Sequence, residues 1–136
     1  MTYAVSGALQ SAVFGRLSAD AAIAALIGSN VFDATPTGVL PQTYIVIGHE
    51  DVRDRSDVSA HGAQHDLTIS VLSDAAGFSE AKATAAAICD TLVDANLTLT
   101  RGTLVGIGFL RAQARRGKAP DGRRIDLKFR ACVEDI

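Results

Sequence analysis

From Arg124 to Val133 every second residue is apolar: Ile125, Leu127, Phe129, Ala131 and Val133 alternate with Arg124, Asp126, Lys128, Arg130 and Cys132. A period of two sends successive side chains to opposite faces of a pleated strand. The segment is therefore expected as a strand, roughly Arg123–Glu134, with one face on a core and the other exposed or used in contact. Such a strand needs paired neighbours and a layer over its apolar face, which limits what the rest of the chain can be.

The remaining segments supply both. Leu67, Ile69 and Val71 alternate with Asp66, Thr68 and Ser70, predicting a strand over His65–Ser73. Thr43-Tyr44-Ile45-Val46-Ile47-Gly48 is rich in β-branched and aromatic residues and apolar on both faces, as an interior strand would be. Val31-Phe32-Asp33 is expected as a short strand, and Leu104–Arg115 as the partner of the last one, joined to it through Arg116–Gly122. Between the short strand and Thr43, two prolines and a glycine make residues 35–41 a loop.

Helical spacing appears in two places. Val5, Ala8, Leu9, Ala12, Val13 and Leu17 fall on one stripe; Ser18 then offers an N-cap for a second short helix, with Asp20 in its first turn and Gly28 ending it. After the turn at Asp74–Gly77, Ser79 is expected to cap a helix running to about Asp94, with Ala81, Ala85, Ile88 and Leu92 buried. The polar stretch from Glu50 to Gly62 is expected as a long, mobile loop. The order α, α, β, β, α, β, β predicts an α+β fold: an antiparallel-rich, mixed β-sheet packed against an N-terminal helix pair and one longer central helix. At 136 residues the chain fits one domain, 1–136, which buries roughly two-thirds of its unfolded surface.

Composition narrows the function classes. Hydrophobic residues make up 48% and charged residues 21%, a globular rather than a disordered balance. No apolar run reaches the roughly 18 to 20 residues of a membrane span, and Met1-Thr2-Tyr3-Ala4 lacks the basic start of a signal peptide, so a reducing cytoplasm is expected. Cys89 and Cys132 lack zinc-ligand spacing and are expected as free, partly buried thiols. His49, Glu50, His61 and His65, with Asp51 and Asp66, are the best catalytic or metal candidates. However, His61-x-x-x-His65 falls at a loop-to-strand boundary, where i and i+4 do not share a helical face, and ordinary surface histidines are the simpler reading. No Gly-x-Ser-x-Gly elbow or Walker motif occurs, and the Gly-x-Gly at Gly106–Gly108 sits within a strand pattern and opens no helix. Those glycines fit a strand that bends or takes another backbone close by. No cofactor, metal or catalytic residue is expected.

Charge is distributed unevenly. Residues 1–100 carry four basic against eleven acidic side chains, a balance of −7; residues 101–136 carry nine against four, a balance of +5. Such polarity suits head-to-tail subunit contacts or a negatively charged partner, and equally a solvated basic face on the last strands. Two segments concentrate it. Asp51, Arg53, Asp54, Arg55 and Asp57 lie in the expected loop, while Arg111, Arg115, Arg116, Lys118, Arg123 and Arg124 lie on the last hairpin. The basic cluster contains no aromatic residue for base stacking, which disfavours a dedicated nucleic-acid reader.

A set of short stretches, in order, carries a resemblance. They are Leu17-Ser18-Ala19-Asp20-Ala21-Ala22, then Gly28 and Val31-Phe32-Asp33, then Pro36 and Pro41-Gln42-Thr43-Tyr44-Ile45-Val46-Ile47-Gly48. Leu67–Ser73, Glu80-Ala81-Lys82 and Phe129-Arg130-Ala131-Cys132-Val133-Glu134 complete it. Over nearly its whole length the chain resembles the tail terminator, or tail completion, proteins of long-tailed phages and gene transfer agents. One departure is that the family commonly has a proline nearer to Tyr44. The resemblance implies a structural protein of the host cytoplasm during assembly and then of the head–tail junction of the particle. It implies a hexameric ring of identical copies on the last tail-tube ring, which halts polymerisation and meets the head-side connector, with DNA passing through the lumen without sequence-specific binding. Another connector or tail-tube subunit is the neighbouring reading, and a small enzyme using the histidines a more distant one. The two charged segments are the expected subunit or partner contacts.

Overall fold

In the computed structural model, which describes residues 3–57, 61–116 and 122–135, the alternating segments pair into one five-stranded sheet. The chain runs α1 (Ser6–Ala19), α2 (Ala21–Ile27), β1 (Val31–Phe32), β2 (Thr43–Asp54), β3 (Gly62–Ser73), α3 (Ser79–Leu92), β4 (Thr103–Arg116) and β5 (Arg123–Glu134). The sheet order is β1-β2-β3-β5-β4. Among the described residues only the β1–β2 pair is parallel, so the expected α+β class with a mixed, antiparallel-rich sheet is what forms.

The core lies between the helices and one face of the sheet. Ile125, Leu127, Phe129, Ala131 and Val133 are all buried, as the alternation of the last strand predicts. Across from them on β3, the register pairs Leu67 with Phe129, Ile69 with Leu127 and Val71 with Ile125. Directly opposed residues share a face, so these apolar pairs form the floor of the core. Val5, Leu9, Val13 and Leu17 of the α1 stripe are fully buried, as are Ala81, Ile88 and Leu92 of α3. Each large side chain so buried contributes roughly 1.5–3 kcal/mol. Polar ties add orientation. The Arg16 Nε–H donates to the Thr91 carbonyl at 3.1 Å, joining α1 to α3, and the Thr43 hydroxyl donates to Glu80 at 2.7 Å, anchoring the first turn of α3 to β2.

Several local expectations are corrected. Ser18 does not cap α2; it lies inside α1, and Asp20 is the N-cap, its carboxylate accepting from the Ile23 N–H at 3.0 Å. A carboxylate at the cap satisfies a free helix N–H more strongly than a hydroxyl two residues too early. Ser79 is the first residue of α3 rather than its cap, and the helix ends at Leu92. There Asp94 takes the left-handed conformation (φ 57°) and its N–H donates to the Ile107 carbonyl at 2.9 Å. Gly28 closes α2 with φ 65°, as its position suggests.

The largest correction concerns Glu50–Gly62. β2 continues to Asp54 and β3 begins at Gly62, ahead of the expected His65, so the first part of the polar stretch, Glu50–Asp54, is strand, pairing Glu50 with Leu67, Asp51 with Asp66 and Asp54 with Ala63. An irregularity between Ile47 and Glu50 breaks the alternation at Gly48 and His49. That break, together with charged side chains, hid the strand from a reading based on hydrophobic period. Residues 58–60 at the hairpin tip lie outside the described residues.

Candidate assembly surfaces

The two charged segments sit at opposite ends of the sheet. Register places Asp54 level with Ala63, Val133 and Leu104, and Thr43 level with Ser73, Arg123 and Arg116. β2 spans Thr43–Asp54, so at 3.3–3.4 Å per residue the ends are roughly 35 Å apart. One end carries Asp54, Arg55 and Asp57, with Asp51 and Arg53 just inside it on β2; the other carries Arg115, Arg116, Arg123 and Arg124. Lys118, grouped with the second set from the sequence, lies outside the described residues.

Within these sets the side chains have different tasks. Arg124 Nε donates to Asp126 Oδ1 at 2.9 Å and Arg115 Nη2 reaches Asp126 Oδ2 at 3.1 Å, while the Ser70 hydroxyl donates to the same carboxylate at 2.6 Å. Burial pushes the Asp126 carboxyl up, but Ser70 and Arg124 outweigh it and hold it below the usual range. Arg123 lies over the Phe78 ring at 5.4 Å. Arg55 Nε donates to Gln64 at 3.2 Å, and the Ser56 hydroxyl holds the Asp54 carboxyl down at about 2. Asp51, Arg53, Arg111 and Arg116 are exposed.

The face of the sheet turned away from the helices is polar. Asp66 and Arg130, cross-strand partners, form a two-pronged pair at 2.9 and 3.2 Å, which lowers the Asp66 carboxyl and raises the guanidinium. Arg111 and Lys128 flank a shallow hollow of about 190 Å³ beside Asp126 on this face. A larger hollow of about 490 Å³ lies between α1 and β1, lined by Gln10, Phe14, Phe32 and Asp33.

The histidines divide. His49 and His61 are exposed, but His65, expected at the surface, is fully buried on the core face of β3. Its Nδ1–H donates to Glu50 Oε2 at 3.0 Å, and the Ser6 hydroxyl donates to Glu50 Oε1 at 2.7 Å. Burial pushes the Glu50 carboxyl up; hydrogen bonds from Tyr3, His65 and Ser6 more than offset it and leave it below the usual value. The carboxylate is thus the hub, with hydroxyl and imidazole both donating to it. A nucleophile activated by a base requires the imidazole between the hydroxyl and the carboxylate, so this arrangement ties α1 to β2 and β3 instead. His65 is in phase with Leu67 and Ile69, and because β3 starts at Gly62 it lies inside the strand rather than at the loop boundary expected for it. Among the described residues no three His, Cys, Asp or Glu side chains converge as metal ligands, and no helix is long and apolar enough to cross a membrane. Cys89 and Cys132 are free thiols; Cys132, expected to be partly buried, is exposed because it points to the polar face. Burial, assisted by Asp90, pushes the Cys89 thiol up.

A search of curated protein sequences returned no match. Among solved structures, one chain of the virion of a native gene transfer agent (GTA) particle superimposes with a TM-score of 0.92 at 59% sequence identity, over 98% of this chain and 99% of that one. The model of the family "Tail completion protein gp17" matches residues 11–134, from the middle of α1 to the end of β5. The chain belongs to the tail completion protein gp17 family.

Proposed function

We propose that this protein is a structural tail-assembly subunit, the tail terminator: copies form a hexameric ring on the last tail-tube ring, halt tube polymerisation and offer a surface to the head-side connector. The observation that carries this reading is the near full-length likeness to a gene transfer agent virion chain together with the tail completion family. A subunit whose two sheet ends differ in charge is suited to the task. It must bind a tube at one end and a connector at the other, and unlike charges let each end reject the wrong partner. Asp51, Arg53, Asp54, Arg55 and Asp57 from one segment, and Arg111, Arg115, Arg116, Lys118, Arg123 and Arg124 from the other, serve the contacts with neighbouring subunits and with these partners. DNA crosses the lumen without being read, and the protein works in the host cytoplasm before joining the particle at the head–tail junction.

Two measurements test this. Solution mass, taken alone and then with tail-tube subunits, should rise to a closed ring on the tube. Negative-stain images should show tubes of defined length capped at one end. Long polymers of this protein alone would instead identify a tube subunit, and binding only to head-side proteins a connector.

A further inference from the structure

The two edges of the sheet are unlike and mutually complementary. At one edge, among the described residues, β1 pairs with β2 at Ile45 and Val46, and the distal half of β2, to Asp54, extends past this short neighbour. At the other, β4 is outermost; the Asp94 N–H covers it at Ile107, and Gly108–Arg116 extends beyond. Edge strands of this length are templates for pairing. The β4 stretch exposes Phe109 (46%) and Leu110 (38%), followed by Arg111, Arg115 and Arg116 without an acid. The β2 stretch offers Asp51 and Val52, with Arg53 beyond them.

We propose that β4 of one copy adds to the open half of β2 of the next, extending the sheet from subunit to subunit around the ring. This rests on the ring reading above and names its interface. Charge selects the occupant. Two β4 edges brought together would set arginines against arginines, which disfavours a two-fold contact and leaves the head-to-tail one. Strand direction agrees: β2, β3, β5 and β4 alternate, so a sheet continued in the same sense places β4 antiparallel to the neighbour's β2.

Register agrees as well. Without any slide, Phe109 is level with Glu50 through Phe129 and Leu67. Closing a sheet on itself requires a stagger, and only an even one keeps each side chain on its own face. A slide of two residues, about 7 Å, sets Phe109 and Leu110 against Val52 and Arg111 against Asp51. Asp51 pairs with Asp66 and Arg111 with Lys128, so both lie on the helix-free face and would meet there. The irregularity between Phe109 and Arg111 absorbs the odd residue.

The test uses the full chain with Cys89→Ala and Cys132→Ala, carrying His49→Cys and Gln113→Cys, assembled on tail tubes and treated with a short bis-maleimide. A ladder of covalent multimers is expected with both cysteines and none with either alone. Assembly of the same mass without a ladder would overturn the edge pairing and leave the ring standing; no assembly on tubes would remove both. Arg111→Asp should abolish assembly while leaving the fold intact by circular dichroism, and adding Asp51→Arg should restore it. Full assembly by Arg111→Asp alone, or no recovery in the double variant, also overturns the pairing.

Discussion

Replacing Glu50 by alanine should cost this protein far more than an acid near a strand edge ordinarily would, and the reason lies in His65. Glu50 accepts from His65 Nδ1 at 3.0 Å and from Ser6 at 2.7 Å. The imidazole is fully buried and its Nε2 already lacks a partner. Removing the carboxylate leaves both ring nitrogens unsatisfied; a newly orphaned buried donor costs about 1–3 kcal/mol, and losing the Ser6 bond adds about 1 kcal/mol. Glu50→Ala should therefore lose about 2–4 kcal/mol, a large part of a typical domain stability. Most of that penalty belongs to the stranded imidazole rather than to the lost contact. Adding His65→Leu, which fills a similar volume without polar atoms, should recover about 1–2 kcal/mol, so that the double variant is more stable than Glu50→Ala alone. Urea unfolding with an unchanged m-value measures both steps. A double variant no more stable than the single one would refute the assignment of the penalty to the buried imidazole.

Gly102 precedes β4 with φ 76°, and a Cβ there would lie 2.8 Å from the Glu134 carbonyl and 3.0 Å from Val5. Gly102→Ala should destabilise by at least about 1 kcal/mol, whereas Gly106→Ala, with open space around it, should cost far less; thermal unfolding separates the two. Asp66, Asp126 and Glu50 all hold their protons less tightly folded than unfolded. Their contribution is complete above the unfolded carboxylate range and is lost as pH falls through their lower folded values. Urea midpoints should thus be flat from about pH 7 to 5 and fall below about pH 4, and a midpoint that rises on acidification would contradict the sign.

How much was legible in the sequence depends on how local the signal is. The alternation of Ile125–Val133 and of Leu67–Val71 is set by the pleat, so both strands and their buried faces follow from residues two apart. The α1 stripe and the Gly28 stop follow in the same way from the helical period and from positive φ. The strand Glu50–Asp54 was not legible. Its charged side chains are tolerated because β3 supplies the ladder and α1 supplies Ser6 to Glu50, partners at large sequence separation. The burial of His65 likewise depends on where β3 starts, which the pairing with β2 and β5 decides.

For function, the residues alone marked two charged segments and no site of chemistry, and the family resemblance added the tail. Tertiary structure decided what the segments are to one another. Pairing β5 between β3 and β4 carries the basic hairpin to the opposite end of the sheet from the mixed acidic and basic one, and leaves Arg111 and Asp51 on opposite edges. Charge along a chain is a property of the sequence; which charges face outward, and toward which neighbour, is fixed only when strands far apart in sequence choose their order in the sheet.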